Sequence, residues 1–180
     1  RVRRHEIVEI LWPDLPAERA RNNLAQTLHY VRLLLEPSRR RREAPFHLRQ
    51  AGDVVWLHRS PTLLVDVWEI DDRLAAAATE MRGHRRRVAA DHLAVVAERW
   101  VGTVAPDLRS FAELEDELHA FERRIVDGVV TLAEWTLAND DLVDATRYAE
   151  QVLAHEALEE RAHAVLVGVA LARGDLAAAR

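Results

Sequence analysis

The sequence predicts a mainly α-helical protein in two parts, a small amino-terminal part that contains a β-hairpin and a longer part made of paired helices. Three observations predict this class. Apolar residues recur at helical spacing through most of the chain. One segment near residue 50 instead alternates apolar and polar residues around a Gly-Asp turn. The last third contains two similar segments, which indicates a repeated helical unit.

The first 36 residues predict two helices joined by a tight connection. The stretch "RRHEIVEILW" (3–12) reads as a short helix, and "PDLP" (13–16) ends it because two prolines within four residues cannot lie inside one helix. The second helix runs from about residue 20 to Leu35 and ends before Pro37. Its buried face is predicted from apolar residues at steps of four, three and four: Leu24, Leu28, Val31 and Leu35. This arrangement is a helix-turn-helix candidate.

A β-hairpin is predicted next, after the charged loop "PSRRRREAP" (37–45). In "FHLRQAGDVVWLH" (46–58), alternating residues lead into the turn at Gly52-Asp53, and strand-forming residues follow the turn. A helix-turn-helix followed directly by a hairpin is the layout of a winged helix. The hairpin is then the wing.

From about residue 66 the chain is predicted to be helical to its end. "DVWEIDDRLAAAATEM" (66–81) and "RRRVAADHLAVVAERW" (85–100) read as two helices separated near Gly83. After the loop "GTVAPDLRS" (102–110), an apolar stripe from Phe111 to Leu132 predicts one long helix.

The last third contains a repeat with an offset of 34 residues. "LANDDLVDA" (137–145) and "LARGDLAAA" (171–179) match at five of nine positions. Thirty-four residues is the period of tetratricopeptide units, each a pair of antiparallel helices. The repeat predicts equivalent buried positions for Leu137 and Leu171, and for Ala145 and Ala179. The alternative is two Ala-Leu-rich helices that resemble each other by composition.

The composition is that of a folded protein. Of the 180 residues, 49% are hydrophobic and 31% are charged. No apolar run approaches the roughly 18 residues of a membrane span, so no membrane association is expected. The absence of cysteine excludes disulfides and thiolate metal sites and is compatible with the cytoplasm, where we expect the protein to be.

Charge is divided unevenly along the chain. Residues 1–60 contain 12 Arg and 7 acidic residues, a balance of +5, whereas residues 61–180 contain 13 Arg and 23 acidic residues, a balance of −10. A basic part joined to an acidic part favours nucleic acid as the partner of the basic part. The alternative is chance clustering around the arginines at 39–42.

The outward face of the second helix carries polar residues that suit the reading of base edges. Asn and Gln can pair bidentately with adenine, and Arg pairs with guanine or phosphate. The alternative is a polar surface whose Asn residues cap the start of the helix. Arg3 and Arg4 are further phosphate candidates. The predicted DNA-binding residues are Arg19, Asn22, Asn23, Gln26, His29, Tyr30, Arg32 and Arg49.

Enzymatic functions are poorly supported. "HEIVE" (5–9) has Glu9 where the zinc-protease pattern requires a second His, so a metal would lose a ligand. No glycine-rich phosphate loop occurs, and the histidines of the second part, such as His119 and His155, lie apart without metal spacing. We therefore predict no enzymatic activity, no metal and no cofactor.

Several segments resemble a known family. "LWPDLPAERARNNLAQTLHYVRLLLEP" (11–37) looks like the DNA-binding segment of the bacterial SARP-type regulators, the antibiotic regulatory protein family. "LVDVWEI" (64–70) and the residues after it, including "AEQVLAHEALEERAHAVLVGVALARGDLAAA" (149–179), are similar to the bacterial transcriptional activator domain of that family.

The resemblance implies the carboxyl-terminal part of a winged-helix DNA-binding domain at 1–60. At 61–180 it implies a tetratricopeptide-like activator domain that is expected to continue past residue 180. It further implies a transcriptional activator that binds double-stranded DNA at direct repeats in promoters and contacts the transcription machinery. The helical domain would mediate protein interaction or form a homodimer. A second function class stays open, a tetratricopeptide-type interaction scaffold whose winged-helix remnant does not bind DNA.

Overall fold

The structure, a computed structural model, describes residues 1–40 and 43–175. It is mainly helical with one small antiparallel sheet, as the sequence predicts. The chain divides into two compact units, Arg1–Leu64 and Val65–Arg180.

The first unit begins with a short strand and two helices, β1 (Val2–Arg3), α1 (Arg4–Leu11) and α2 (Ala17–Leu35). The predicted carboxyl-terminal ends of both helices are confirmed, whereas α2 begins three residues before its predicted start. The prolines at 13 and 16 separate α1 from α2, because a proline lacks the N–H that a helix interior needs. Helix α2 ends immediately before the Glu36-Pro37 pair.

The predicted hairpin is also confirmed, with β2 (Leu48–Ala51) paired antiparallel to β3 (Val54–Leu57). Its turn places Gly52 at a φ of 57°, a left-handed conformation that glycine adopts without the clash of a Cβ atom. Strand β1 pairs with β3, so the sheet has the order β1-β3-β2. The sequence did not predict β1, because a two-residue strand is too short to show alternation.

The core of the first unit joins α2 to the hairpin. Leu24 and Leu28 of α2 are buried with Leu48 of β2 and Val55 of β3, and the half-buried Trp12 packs against them. The leucine stripe predicted for α2 is therefore its packing face, with Val31 and Leu35 half-buried at its carboxyl end.

The second unit contains five helices among its described residues: α3 (Asp66–Arg82), α4 (Arg86–Arg99), α5 (Ala112–Ala138), α6 (Leu142–Leu153) and α7 (Glu160–Ala172). A 3₁₀ turn at Pro106–Leu108 lies in the predicted 102–110 loop. Each helix packs on the next, and α5 also contacts both α3 and α7. Gln151 of α6 donates to the carbonyls of Ala97 and Trp100 at 2.8 and 3.0 Å, which satisfies acceptors that the end of α4 leaves without a partner in the helix.

Helix α5 supplies the centre of this unit. Its Ile125, Val129 and Val130 are fully buried. Gly128 lies on the same helix. A Cβ atom at its position would come within 2.9 Å of the Leu74 side chain and 3.1 Å of the Leu93 side chain. A larger residue would push α3 and α4 away, so this glycine within the helix permits their close approach.

The 34-residue repeat corresponds to a repeated turn. At the end of α5, Asp140 has a φ of 62°, and the amides of Asp140 and Asp141 donate to the carbonyls of Leu137 and Thr136. At the end of α7, Gly174 has a φ of 76°, and the amides of Gly174 and Asp175 donate to Leu171 and Ala170, each 34 residues later. These are left-handed helix caps of one type.

The predicted equivalence of Leu137 and Leu171 in burial is wrong. Leu137 is half-buried and lies against Gly168 of α7, whereas Leu171 is 54% exposed. The reason is that α7 covers Leu137, and no described residue after α7 covers Leu171 in the same way. The predicted partner of Ala145, Ala179, lies outside the described residues.

Within the described ranges, none of the helices combines the length and the apolar character that crossing a bilayer requires.

The cap of α6 supplies a stability prediction. Asp141 Oδ1 accepts the amide of Asp144 at 3.1 Å, so Asp141→Ala should lower the free energy of unfolding by about 1 kcal/mol. The matched control is Asp140→Gly, which removes the neighbouring carboxylate but suits the left-handed φ, and should cost nothing. Urea denaturation followed by far-ultraviolet circular dichroism measures both, and equal losses would contradict the capping assignment.

Candidate nucleic-acid interface

Four residues predicted to read DNA, Arg19, Asn22, Gln26 and His29, form one exposed face of α2. We call these four the polar face. Within the described chain, Arg19, Asn22 and Gln26 make no hydrogen bond or ion pair, and His29 makes only a ring contact with Tyr30 at 5.9 Å. Their polar groups are therefore available to a ligand.

The packing of α2 fixes the direction of the polar face. Ala20, Leu24 and Leu28 are buried on the opposite side of the helix, at 0%, 1% and 7% exposure. Since side chains recur every 3.6 residues, burial of these three turns Asn22 and Gln26 outward together. Residues four apart stand about one turn from each other, at roughly 5–6 Å between Cβ atoms.

The remaining predicted positions on α2 differ from the polar face. Asn23 is half-buried at the edge of the packing face, and Tyr30 is exposed. After Tyr30 the exposed surface becomes apolar, since Leu33 and Leu34 are 43% and 80% exposed. The polar surface therefore ends about two-thirds of the way along the helix.

Arg32 is committed to the hairpin rather than to solvent. Its Nε donates to the Leu48 carbonyl at 3.2 Å and its Nη2 to Gln50 Oε1 at 3.3 Å. Burial, followed by the charges of Arg39 and Arg4, lowers the pKa of Arg32. The predicted phosphate contact would have to compete with both hydrogen bonds, so we assign Arg32 to the attachment of α2 to β2.

Arg49 lies on β2 opposite Trp56. Its Nε donates to the Phe46 carbonyl at 3.0 Å, and its guanidinium stands 5.2 Å from the centre of the Phe46 ring. These contacts hold one edge of a half-buried side chain, and the other guanidinium N–H groups donate no hydrogen bond to the described residues. Arg49 therefore remains a phosphate candidate in a fixed position.

Near β1, Arg3 is exposed and Arg4 half-buried. The Arg4 amide donates to the Asp53 carbonyl at 2.8 Å, which attaches the start of α1 to the hairpin turn. His5 Nδ1 lies 3.3 Å from Asp53 Oδ2 at the same place. The arginine side chains themselves have no protein partner that fixes them among the described residues.

Sequence reasoning missed Glu36, which attaches the loop after α2 to the helix. Its Oε1 accepts the amides of Phe46 and His47 at 2.8 and 2.7 Å, and its Oε2 lies 3.5 Å from Arg39 Nε. Burial raises the pKa of Glu36, but the amides of His47 and Phe46 and the charge of Arg39 outweigh it and hold the pKa below its ordinary value.

The two described arginines of the predicted charged loop, Arg39 and Arg40, differ in exposure. Arg39 is turned inward to Glu36, so its side chain is only 16% exposed, whereas Arg40 is exposed. The other two arginines of the run lie outside the described residues.

Cavities also lie away from the polar face. One of about 520 Å³ lies between α1 and the start of α2 and is lined by Val8, Trp12 and Leu15 among others. Another, of about 400 Å³, brings together His119 and His155, which the sequence did not associate, with the His155 ring 4.4 Å from that of Trp100. In the described ranges no three His, Asp or Glu side chains are grouped in a way that could hold a metal ion.

Comparison with protein-family models, with curated proteins and with solved structures finds no match to the chain.

Glu36 supplies a prediction on pH. Because its pKa is lower in the folded protein than the usual value of about 4.3, its contribution to stability is complete above that pH and is lost as the pH falls through the folded pKa. Glu36→Gln should lower the free energy of unfolding at pH 7 by about 1–3 kcal/mol. Between pH 7 and pH 3, the free energy of unfolding of this variant should fall less than that of the wild type.

Urea unfolding across this pH range provides the measurement. Glu9→Gln is the control, since it removes the same charge from an exposed position that has no hydrogen bond in the described chain. If both variants behave alike, Glu36 does not hold the loop.

Proposed function

We propose that the chain belongs to a DNA-binding transcriptional regulator of the activator type, in which α2 enters the major groove. The observation that carries the proposal is the polar face, in which Arg19, Asn22, Gln26 and His29 are exposed and make no hydrogen bond or ion pair with the residues that the structure describes. An exposed helix face that only needs solubility is usually filled with charged residues. Amides offer a donor and an acceptor side by side, which suits base edges.

The architecture of the first unit supports this proposal. Two successive helices followed by a hairpin, with an additional strand paired to β3, correspond to the helices, wing and first strand of a winged helix. The resemblance of residues 11–37 to the SARP-type regulators points the same way. We therefore propose α2 as the recognition helix and the β2–β3 hairpin as the wing.

Each group has a proposed role in the complex. Asn22 and Gln26, one turn apart, would each make a bidentate contact to adenine, and Arg19 would reach guanine or a phosphate. His29, Tyr30 and Arg49 would contact the backbone at the margins. Arg32 would attach α2 to β2 rather than contact DNA, because its guanidinium donates to Leu48 and Gln50. Asn23 would support the helix, because it lies at the edge of the packing face.

For the second unit we propose a tetratricopeptide-like domain that contacts the transcription machinery or forms a homodimer in the cytoplasm. The proposal is supported by α5, which packs on both α3 and α7 as the first helices of successive pairs do. The repeated turn after α5 and α7 at an offset of 34 residues supports it further.

A second candidate function is an interaction scaffold that does not bind DNA. It is favoured by the apolar surface of α7, where Val167 and Leu171 are 40% and 54% exposed, and by the internal use of Arg32 and Arg39. The two candidates differ in whether the polar face has a ligand.

Selection of bound duplexes from a random DNA pool tests the proposal. A regulator should enrich a motif with adenines at positions that face Asn22 and Gln26, in two copies with the same orientation if the protein acts on direct repeats. Failure of the protein to bind any duplex at low salt would favour the scaffold.

Two neighbouring residues on opposite faces of α2 should respond differently to truncation. Leu28→Ala removes a buried side chain and should lower the free energy of unfolding by about 2–5 kcal/mol. Gln26→Ala should leave unfolding nearly unchanged, yet lose about 1–3 kcal/mol of discrimination at one base pair. Denaturation and binding titrations with single-base variants of the selected site measure the two effects.

The matched control for Gln26→Ala is Thr27→Ala, an exposed neighbour outside the polar face. If Gln26→Ala and Asn22→Ala both discriminate between bases as well as the control does, the polar face is only solvated surface.

A further inference from the structure

The turn between α3 and α4 carries a dense positive charge. Four arginines and a histidine fall within six residues, all exposed, and we call them the arginine tip: Arg82, His84, Arg85, Arg86 and Arg87. The rest of residues 61–180 contains 9 Arg against 23 acidic residues, since the whole segment has 13 Arg. The tip is therefore a local reversal of the charge of its own unit.

The geometry of the turn separates one bound arginine from two free ones. His84 takes a left-handed φ of 57°, and Gly83 leaves room for the guanidinium of Arg85, which would lie 3.0 Å from a Cβ atom at that position. Arg85 forms an ion pair with Glu80, and this pair raises the pKa of Arg85 and lowers the pKa of Glu80. Arg86 and Arg87 make no hydrogen bond or ion pair with any described residue.

The positive charges of the tip are unfavourable at the amino end of α4, where acidic or capping side chains are preferred. The same left-handed turn after α5 leads into α6 through Asp141, whose carboxylate caps the helix. At the corresponding place Arg85 is the N-cap of α4, and Arg86 and Arg87 are its first two residues. The helix has neither a side-chain cap nor an acidic residue in its first turn. Cations at the amino end of a helix are unfavourable with respect to its dipole. Within the described chain, no hydrogen bond or ion pair of Arg86 or Arg87 offsets this unfavourable placement.

We propose that the arginine tip binds the phosphodiester backbone of double-stranded DNA, which adds a sequence-independent contact to the protein. The inference rests on the proposed function, because a chain that engages DNA through α2 keeps the same duplex at a high effective concentration for its second unit. Guanidinium groups donate in a planar fork that matches two phosphate oxygens.

Charge complementarity favours DNA over an acidic protein as the occupant. A duplex presents negative charge at regular intervals along its whole length, so two free arginines on a convex turn can engage it without a shaped partner surface. A protein partner would need a complementary apolar centre as well as charge. Binding of an acidic protein is therefore the alternative outcome of the test.

The test measures how the affinity for a duplex of random sequence depends on salt concentration, in the wild type and in a variant of the arginine tip. Each phosphate contact contributes about 0.9 to the slope of log affinity against log salt concentration. The double variant Arg86→Gln/Arg87→Gln should reduce the slope by about two and weaken binding at low salt by roughly tenfold or more. The midpoint temperature of thermal unfolding should not fall in this variant, since the substituted arginines make no hydrogen bond or ion pair within the described chain.

The control for net charge is Arg123→Gln/Arg173→Gln, which removes two exposed arginines of the second unit that form no ion pair with the described residues. If both double variants reduce the slope equally, only net charge matters and the tip is not a site. An unchanged slope in the tip variant, with or without an acidic protein bound there, also overturns the inference, as does a wild-type protein that binds no DNA.

The two proposals fail in different ways. A wild-type protein that prefers its selected motif, but whose tip variant binds random duplex with an unchanged slope, supports the regulator and overturns the tip. A protein that lacks any sequence preference, but loses slope in the tip variant alone, supports the tip and overturns sequence-specific regulation.

Discussion

The burial of Leu24 and Leu28 against the hairpin is the interaction on which the proposed interface depends. These two side chains pack with Leu48 and Val55, so the rotation of α2 about its own axis is fixed by the core. Because the side chains of a helix point in fixed directions around its axis, burial of one face determines which residues point outward on the opposite face. The outward direction of Gln26 is therefore a consequence of hydrophobic packing and not of any interaction that Gln26 itself makes.

Periodicity predicted the elements that bury one regular face, and it failed where contacts are irregular or distant in sequence. Helix α2 and the β2–β3 hairpin were predictable because each shows its own period over many residues. The roles of Arg32 and Glu36 were not, since each bonds to backbone groups 10 to 16 positions away, at Phe46 and Leu48. Neither Arg32, within a helix, nor Glu36, before a proline, shows in the local sequence that it has such a partner.

The repeat shows the same division between local and distant determinants. The turns after α5 and α7 are alike because a left-handed residue and its hydrogen bonds are set within about six neighbouring residues. Burial of Leu137 depends instead on Gly168, which lies two helices later in α7. Sequence similarity between two segments therefore predicts their local geometry, while burial follows from what packs against each copy.

Arginine is the only basic residue with a permanent charge in this chain. The surroundings of each arginine distinguish those that bond within the fold from those whose guanidinium is available to a ligand. Arg32 and Arg161 are each held by carbonyl, amide or carboxylate oxygens of another element, with Arg161 donating two bonds to Glu134. Arg19 and Arg86 have no such partner among the described residues. A guanidinium that stays in water keeps its hydration on folding, so its donors stay available to a ligand. The proposed DNA contacts depend on these copies, because only an unpartnered guanidinium can donate to a phosphate without breaking a bond within the fold.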